Sequence, residues 1–339
     1  MNRYSGVLGL CLLVGASLAH AGGFYQPNQS AAAAGVANAF VATVNDASAM
    51  AYNPAGIAWQ DGVSGTIGMT VTPRDSSVIL PGGSVAPNSS NDPTIGHGYL
   101  TWMPHDGRFG FGFAGNILYQ IKNNWGTAFG ANTGLTDLTV GHVGLDGIYV
   151  INSDLAVALG VDLYTSRITL TQGAQSFRGT DYIDFGGHAS LLWKPLPGWS
   201  VGAVFRSGAT MNLEGDTANT AMKLKLPDTV VLGVAHDFYD TWRLEADVNW
   251  TRWSAVHDLN VVTGGVVTQS NPLNLHDTIT VMAGLTWTWR ENSQLRLGYA
   301  FEQGANESNG FHAAVADQDG HRVSIGVGGE SLGVHVDLA

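Results

Sequence analysis

Residues 242–251 read WRLEADVNWT, and their strict alternation decides the fold. One face is apolar and consists of Trp242, Leu244, Ala246, Val248 and Trp250. The other face is polar and consists of Arg243, Glu245, Asp247, Asn249 and Thr251. A period of two residues indicates a β-strand with one apolar and one polar face. Tryptophan at both ends of the apolar face is typical of a strand that crosses a membrane in a barrel, where aromatic residues lie at the two interfaces.

The same alternation recurs along the chain and predicts about thirteen strands. They lie at about 63–72, 96–103, 108–119, 137–151, 154–170, 181–193, 199–211, 226–238, 241–254, 276–289, 293–303, 320–328 and 331–339. Short connections alternate with long ones, which run at about 73–94, 120–135, 171–180, 212–225, 255–274 and 304–318. Short turns on one side and longer loops on the other are the layout of outer-membrane barrels, whereas a soluble β-sandwich has no reason to sort its loops this way.

The composition fits one large barrel. Charged residues make up only 12% of the 339 residues, against about 25% in ordinary soluble proteins. The mean hydropathy is +0.06, and the chain contains 45 glycines. Low charge with near-zero mean hydropathy is expected of strands that have one oily and one polar face. The net charge of −12 argues against nucleic acid as a partner.

The N-terminus has the layout of an export signal. A short positive start at Asn2-Arg3 precedes an apolar run and the small-residue cleavage site Ala19-His20-Ala21. This pattern predicts a secretory signal peptide over residues 1–21. A lipoprotein acylated at Cys11 is the alternative, but cleavage there would leave almost no apolar run before it. Because Cys11 is the only cysteine, the mature chain has neither a disulfide nor a thiolate metal site, and the scattered histidines offer no compact ligand set. We therefore predict no cofactor.

Between the signal and the first strand lies a segment of small residues, 22–62, which has neither helical nor strand period. It contains the run Ala31–Gly35 and closes on Asn53-Pro54-Ala55-Gly56. Such a composition buries little surface alone but can pack closely inside another structure. We name residues 22–62 the hatch segment and assign residues 63–339 to the barrel.

The predicted strand count is odd, whereas bacterial single-chain barrels have even numbers. The last predicted strand stops at Ala339 in mid-pattern and lacks a terminal aromatic residue. We therefore expect that a C-terminal strand is missing from this sequence. The alternative is an odd or open barrel, which would leave an unpaired strand edge in lipid.

Several stretches in this order resemble the FadL/TodX family of outer-membrane transporters for hydrophobic compounds. They are Gly23-Phe24, Gly35-Val36-Ala37-Asn38-Ala39, Asp46-Ala47-Ser48, Asn53-Pro54-Ala55-Gly56, Leu226-Pro227-Asp228-Thr229, Asp247 to Ser254 and His321 to Gly326. The resemblance implies an all-β, fourteen-stranded transmembrane antiparallel barrel with an N-terminal hatch in its lumen. It also implies uptake of long-chain fatty acids or aromatic hydrocarbons, gated by the hatch, with lateral release through the barrel wall.

The resemblance further implies a gating role for the hatch motif Asn53, Pro54, Ala55 and Gly56, and a place near the ligand pocket for Phe24. In the family the motif lies against a kink in the third strand, which here carries Gly110, Gly112 and Asn116. The two glycines could mark that kink or could simply make room for the hatch.

The inward-facing cations leave the substrate open. By alternation Arg206, Arg243 and Arg296 face the lumen, where they could bind a fatty acid carboxylate or pair with acidic residues. An aromatic hydrocarbon would need no cation. Asp46 of the hatch could pair with Arg243 or Arg296.

The expected location is the outer membrane of a Gram-negative cell. The partners implied are outer-membrane lipids, a hydrophobic small-molecule ligand and the barrel-assembly machinery, with the protein acting as a monomer. Paired carboxylates such as Glu245 and Asp247 could serve acid-base catalysis, but inside a barrel such charges more often hold a plug. We therefore predict no enzyme activity. The alternatives are a non-transport barrel, either an adhesin or a surface enzyme, and a general porin, which a hatch would obstruct.

Overall fold

The computed structural model describes residues 23–80, 82–130, 132–291, 293–306, 311–331 and 333–339. The predicted signal peptide and its cleavage site lie outside the described residues. The strands are β1 Gly62–Val71, β2 Ser77–Ile79, β3 Val85–Pro87, β4 Thr94–Met103, β5 Phe109–Asn124, β6 Thr133–Asn152, β7 Leu155–Gln172, β8 Gln175–Leu196, β9 Trp199–Arg206, β10 Thr210–Gly215, β11 Thr220–Lys225, β12 Thr229–Phe238, β13 Trp242–Thr251, β14 Val261–Thr263, β15 Val266–Gln269, β16 Thr278–Arg290, β17 Ser293–Glu302, β18 Gly320–Ser331 and β19 Val334–Leu338. The helices are α1 Ala31–Gly35 and α2 Ala49–Tyr52, with 3₁₀ turns at Pro54–Trp59 and Trp253–Ala255. Within the described ranges, no helix is long and apolar enough to cross a membrane.

The wall is one antiparallel sheet of seventeen strands, and β2 and β3 form a separate hairpin. Strand β13 pairs with β12 on one side and β16 on the other, and its two faces separate as the sequence predicts. Leu244 is 51% exposed on the outer face, whereas Glu245 and Asp247 are buried on the inner face. The fold is therefore an all-β transmembrane barrel with an apolar exterior and a polar interior, which confirms the predicted fold class.

A row of aromatic rings crosses the outer face next to the short turns. Trp199 stacks on His236 with ring centroids 4.4 Å apart, and Trp242 stacks on Trp287 at 5.4 Å. Trp250 lies at the opposite end of β13. Aromatic residues at both ends mark the two membrane interfaces, and the end with the short turns is the periplasmic one in barrels of this kind.

The outer end is more regular than the sequence predicted. Strands β6, β7 and β8 have 20, 18 and 22 residues, well beyond the roughly ten that a tilted strand needs to cross a membrane. The predicted loops 73–94, 212–225 and 255–274 contain the hairpins β2–β3, β10–β11 and β14–β15. In β10–β11 the reason is visible in the sequence, because short apolar alternations continue the inner face of the sheet. Its buried members are Met211, Leu213, Met222 and Leu224.

The hatch segment packs against wall strands on opposite sides. Helix α1 contacts β17, β18 and β19, while the 3₁₀ turn Pro54–Trp59 contacts β6, β7 and β8. Ser30 caps α1, since its hydroxyl accepts a hydrogen bond from Ala33 N at 3.1 Å. Small side chains allow the close fit, and a Cβ added to Gly112 of β5 would lie only 1.8 Å from the sulfur of Met50.

The terminal strands of the described sheet are β1, which pairs with β4, and β19, which pairs with β18. The division into hatch and barrel and the missing C-terminal strand stay predictions.

Candidate functional site

The hatch motif is tied to the wall by its asparagine. The Asn53 side-chain amide donates to Val41 O at 2.8 Å and to Leu191 O at 2.9 Å, and its oxygen accepts from Ala55 N. Ala55 N also lies 3.2 Å from the Ser190 hydroxyl. Asn53 and Ala55 are fully buried. The motif therefore forms its wall hydrogen bonds with β8, while the 3₁₀ turn Pro54–Trp59, which follows Asn53, also contacts β5, the third barrel strand.

A second attachment comes from β13, which is separated from β8 in the sheet by β9 and β12. Asp247 accepts hydrogen bonds from Phe40 N at 2.8 Å and Val41 N at 3.0 Å. Glu245 accepts from Ala42 N at 2.6 Å and from the Thr43 hydroxyl. Four consecutive hatch residues thus donate to two neighbouring carboxylates. This arrangement supports the plug-holding interpretation of the pair over the catalytic one.

Above this attachment lies an ionic layer built from β5 to β9. His188 joins two carboxylates, with Nε2 at 2.5 Å from Asp146 and Nδ1 at 3.0 Å from Asp162. Asp162 also accepts from Arg206 and lies 2.6 Å from His142 Nε2. These side chains are buried, so their opposite charges compensate each other in a region of little water.

The ionic layer is connected to the hatch segment through the side-chain amide of Asn116. Asn116 Oδ1 lies 2.7 Å from His142 Nδ1, and its nitrogen donates to Gln29 Oε1 at 3.0 Å. Gln29 in turn donates to Gln26 O and Ile117 O. The N-terminal part of the hatch is therefore connected by hydrogen bonds to the ion pairs of the wall.

Strand β5 leaves the regular ladder next to Asn116. Its pairing with β4 covers Phe111–Gly115, and its register with β6 shifts between Ile117 and Tyr119. Gly110 and Gly112 lie below the shift in regular register. The irregularity therefore lies at the Asn116 end of the predicted kink. At Gly112, the lack of a side chain leaves space for Met50 of the hatch segment.

Beyond the shift, the hatch itself pairs with β5. Gln26 N donates to Leu118 O at 2.8 Å, Gln120 N donates to Phe24 O at 2.9 Å, and Tyr25 and Tyr119 form an antiparallel bridge. Residues 24–26 thus act as a short added strand at the point where the β4–β5 ladder has ended.

Phe24 projects into a large apolar cluster in the outer half of the lumen. Its ring lies 4.6 Å from that of Trp253 and 5.7 Å from that of Tyr119, measured between centroids. Other members of the cluster are Leu118, Leu138, Val140, Leu170, Met211, Leu213, Met222, Leu224, Leu259 and Val261. A cluster of this size and chemistry suits a hydrophobic ligand.

The outer loop between β17 and β18 closes this cluster through Asp317. The carboxylate accepts hydrogen bonds from Gly23 N at 2.8 Å and Ala305 N at 2.6 Å. Burial, together with the negative charge of Glu302, raises the pKa of Asp317 to about 7, although its hydrogen bonds from backbone N–H groups oppose the rise. Sequence patterns gave no sign of this residue, because it lies in an irregular loop.

The three predicted pocket arginines lie in different places, and each has a carboxylate partner. Arg206 pairs with Asp162 in the ionic layer. Arg243 binds Asp237 through two hydrogen bonds at the periplasmic end. Arg296 lies beside α1, with Nη1 2.5 Å from Asp337 Oδ1.

The hatch aspartate Asp46 accepts a hydrogen bond from Ser48 N at 2.6 Å. Among the residues that the structure describes, no group of three His, Cys, Asp or Glu side chains is arranged to hold a metal ion.

A cavity of about 730 Å³ opens at the periplasmic end between the hatch and the β8–β9 turn. Its lining combines apolar residues, such as Trp59 and Leu196, with the charged side chains of Asp154, Asp237 and Arg243. Lys194 lies there with its ammonium 3.7 Å from the centre of the Trp59 ring. A second cavity, of about 70 Å³, lies between Tyr25, Tyr52 and the wall.

The fold is that of an outer-membrane β-barrel, and its lumen encloses an apolar cluster. The family described as "Outer membrane protein transport protein (OMPP1/FadL/TodX)" matches residues 12–212 and 174–331. The chain therefore belongs to this family, which places it in the outer membrane.

The chain is also similar to individual proteins, one in sequence and others in fold. The chain is 22% identical over 275 residues to outer membrane protein P1 of Haemophilus influenzae, a match that covers 66% of this chain and only 60% of that relative. It superposes on a FadL homologue of Pseudomonas aeruginosa with a TM-score of 0.76 and 18% identity, covering 93% of this chain and 90% of that one. The TodX toluene transporter of P. putida gives a TM-score of 0.65 at 18% identity, covering 87% and 88% of the two chains. These structures share the fold.

Proposed function

We propose that this protein takes up hydrophobic compounds across the outer membrane, along a path gated by the hatch segment and ending in lateral release through the wall. The substrates are long-chain fatty acids or aromatic hydrocarbons. The observation that carries the proposal is the added strand of residues 24–26, which occupies β5 where the β4–β5 ladder has ended.

The chemistry of the two ends supports a sideways exit. A hydrophobic passenger in the apolar cluster loses about 0.8 kcal/mol for each CH₂ that it exposes to water. The periplasmic cavity offers it an ion pair, an ammonium group and carboxylates. The wall beside Leu118 and Tyr119 offers lipid instead, once the added strand moves away.

Uptake of labelled oleate and labelled toluene, in cells with and without the gene, tests transport and separates the two substrate classes. Uptake of neither compound above the level of cells lacking the gene contradicts the proposal.

A disulfide across the gate tests the lateral route. Residues facing each other in an antiparallel bridge have Cα atoms about 4.5–5.5 Å apart, which suits a disulfide. Under oxidising conditions, the double variant Tyr25→Cys/Tyr119→Cys should lose uptake, and a reductant should restore it. The matched control Leu244→Cys/Leu285→Cys joins two permanently paired wall strands and should keep uptake in both states. Full uptake with the 25–119 disulfide formed would show that the added strand is not the gate.

A further inference from the structure

The ring of Phe24 lies inside the apolar cluster to which the proposed transport function assigns the ligand. Phe24 is only 3% exposed, and its ring contacts those of Trp253 and Tyr119 inside the apolar cluster. A ligand of the size of one benzene ring would make the same contacts after the hatch segment withdrew. The polar atoms around Phe24 therefore indicate which substituent such a ligand carries.

Two polar atoms near this ring have no hydrogen-bond partner among the described residues. One is the indole nitrogen of Trp253, a residue that is fully buried. The other is Oδ1 of Asp317, a buried atom whose companion Oδ2 accepts from Gly23 and Ala305. An indole has a single N–H, so the Trp253 donor is left entirely unsatisfied, at a cost of about 1–3 kcal/mol.

Gly23 lies against both the Trp253 ring and the Asp317 carboxylate. Its N–H lies 2.8 Å from Asp317 Oδ2. A Cβ added on its other side would lie 2.5 Å from Trp253 Cε2, the ring carbon bonded to the indole nitrogen. One residue without a side chain therefore separates the ring that carries the buried donor from the half-buried carboxylate. Its φ of +69° also favours glycine.

We propose that Trp253 Nε1 and Asp317 Oδ1 form a polar subsite that takes the hydroxyl group of a small aromatic ligand, such as a phenol. The hydroxyl oxygen accepts from the indole N–H, and the hydroxyl proton is donated to the carboxylate. This inference rests on the proposed transport function and narrows its substrate class.

The subsite distinguishes three kinds of ligand. A hydrocarbon leaves both protein atoms unsatisfied. A carboxylate brings a second negative charge beside Asp317, and the inward arginines Arg206, Arg243 and Arg296 are already paired. A hydroxyl satisfies the donor and the acceptor together, so the expected order of affinity is phenol, hydrocarbon, carboxylate.

Equilibrium binding of p-cresol, toluene and p-toluate to the purified full chain in detergent, at pH 8, tests this order. These three probes differ at one substituent. We expect p-cresol to bind roughly 10-fold more tightly than toluene, as one or two buried hydrogen bonds provide, and p-toluate to bind more weakly than toluene.

Two variants locate the effect. Trp253→Phe keeps a ring and removes the N–H, and Asp317→Asn removes the charge. Each should reduce the p-cresol preference to within about 3-fold, with toluene affinity little changed. Trp125→Phe and Asp319→Asn are the matched controls, because the Trp125 indole already donates to Ala313 O and Asp319 accepts from Gly304 in the same loop. Heat-modifiable mobility on gels shows that each variant is folded.

Equal binding of p-cresol and toluene to the wild type overturns the subsite while leaving the transport proposal intact. So does a preference that survives Trp253→Phe. Binding of none of the three probes overturns both the subsite and the aromatic-hydrocarbon branch of the transport proposal.

Discussion

The two halves of the lumen are held together by different forces. In the periplasmic half, consecutive hatch residues donate directional hydrogen bonds to Glu245 and Asp247, and Asn53 ties the same loop to β8. In the outer half, the backbone of residues 24–26 forms two hydrogen bonds with β5, but the ring of Phe24 itself is held by non-directional apolar contact. Directional hydrogen bonds are lost when the donor and the acceptor no longer align. Apolar contact does not depend on such alignment, so one apolar group can replace another. The outer half is therefore suited to exchange and the periplasmic half to anchoring.

The largest expected effect comes from removing the anchor in Asp247→Ala. This variant leaves the buried N–H groups of Phe40 and Val41 without their acceptor, at a cost of about 1–3 kcal/mol each. The hatch should loosen, and ion conductance of the purified barrel in planar bilayers should rise well above the wild-type level. Asp237→Ala, which removes a partly exposed ion pair, should leave conductance low. Equal conductance in the two variants would mean that the β13 carboxylates do not anchor the hatch.

Asn53→Ala should have the next largest effect, because it leaves the buried carbonyls of Val41 and Leu191 without this donor. Each unsatisfied group costs about 1–3 kcal/mol. Transport should change while the barrel stays folded and heat-modifiable. Asn45→Ala, at an exposed hatch position, is the control. Unchanged uptake in Asn53→Ala would reduce the motif to a structural turn.

The outer half should respond to pH through Asp317. Its folded pKa of about 7 lies above the ordinary value of about 4, so the folded protein binds more protons between these values. The stability from this group is full below about pH 4 and is lost as the pH rises through about 7. Protease protection of the β17–β18 loop should therefore fall from pH 5 to pH 8. Asp317→Asn should flatten this profile, whereas Asp319→Asn should retain it. A wild-type profile without slope contradicts the assignment.

The smallest expected effect is a change in tryptophan fluorescence, which tests which tryptophan side chains contact lipid. Trp242, Trp250, Trp287 and Trp289 should be quenched by brominated lipids at depths near the interfaces, since they follow the outer phase of their strands. Trp253 is fully buried and should not be quenched. Single-tryptophan variants measured in vesicles separate these signals. Quenching of Trp253 together with protection of the other four would invert the inner and outer faces.

The sequence predicted the wall well because alternation is local. A residue two positions along a strand must face the same side, so Glu245 and Asp247 could be placed in the lumen without any contact being known. The outer hairpins were missed because their alternating runs, such as Met211 and Leu213, are short and sit among turn residues.

The contacts inside the lumen could not be predicted in the same way. Which carboxylate meets Arg296 depends on the register of distant strands, and its partner proved to be Asp337. Trp253 was included in the predicted strand 241–254 but lies just beyond β13 in a 3₁₀ turn, and alternation gave no information about which residues its ring contacts. Asp317 reaches Gly23 across 294 residues of sequence, a distance over which no periodic pattern carries information.

On the proposed lateral route, the position of the irregularity along β5 sets the height at which a passenger emerges. Ile117 to Tyr119 lie eight to ten residues above Phe109, the periplasmic start of β5. At about 3.3 Å per residue and a tilt of roughly 40°, this is about 20–25 Å up a hydrophobic band about 25 Å tall. A molecule leaving there enters the outer leaflet and still has to cross the bilayer midplane. A neutral molecule makes that step readily, whereas a carboxylate must first take up a proton. The height of the proposed gate alone therefore favours uncharged passengers.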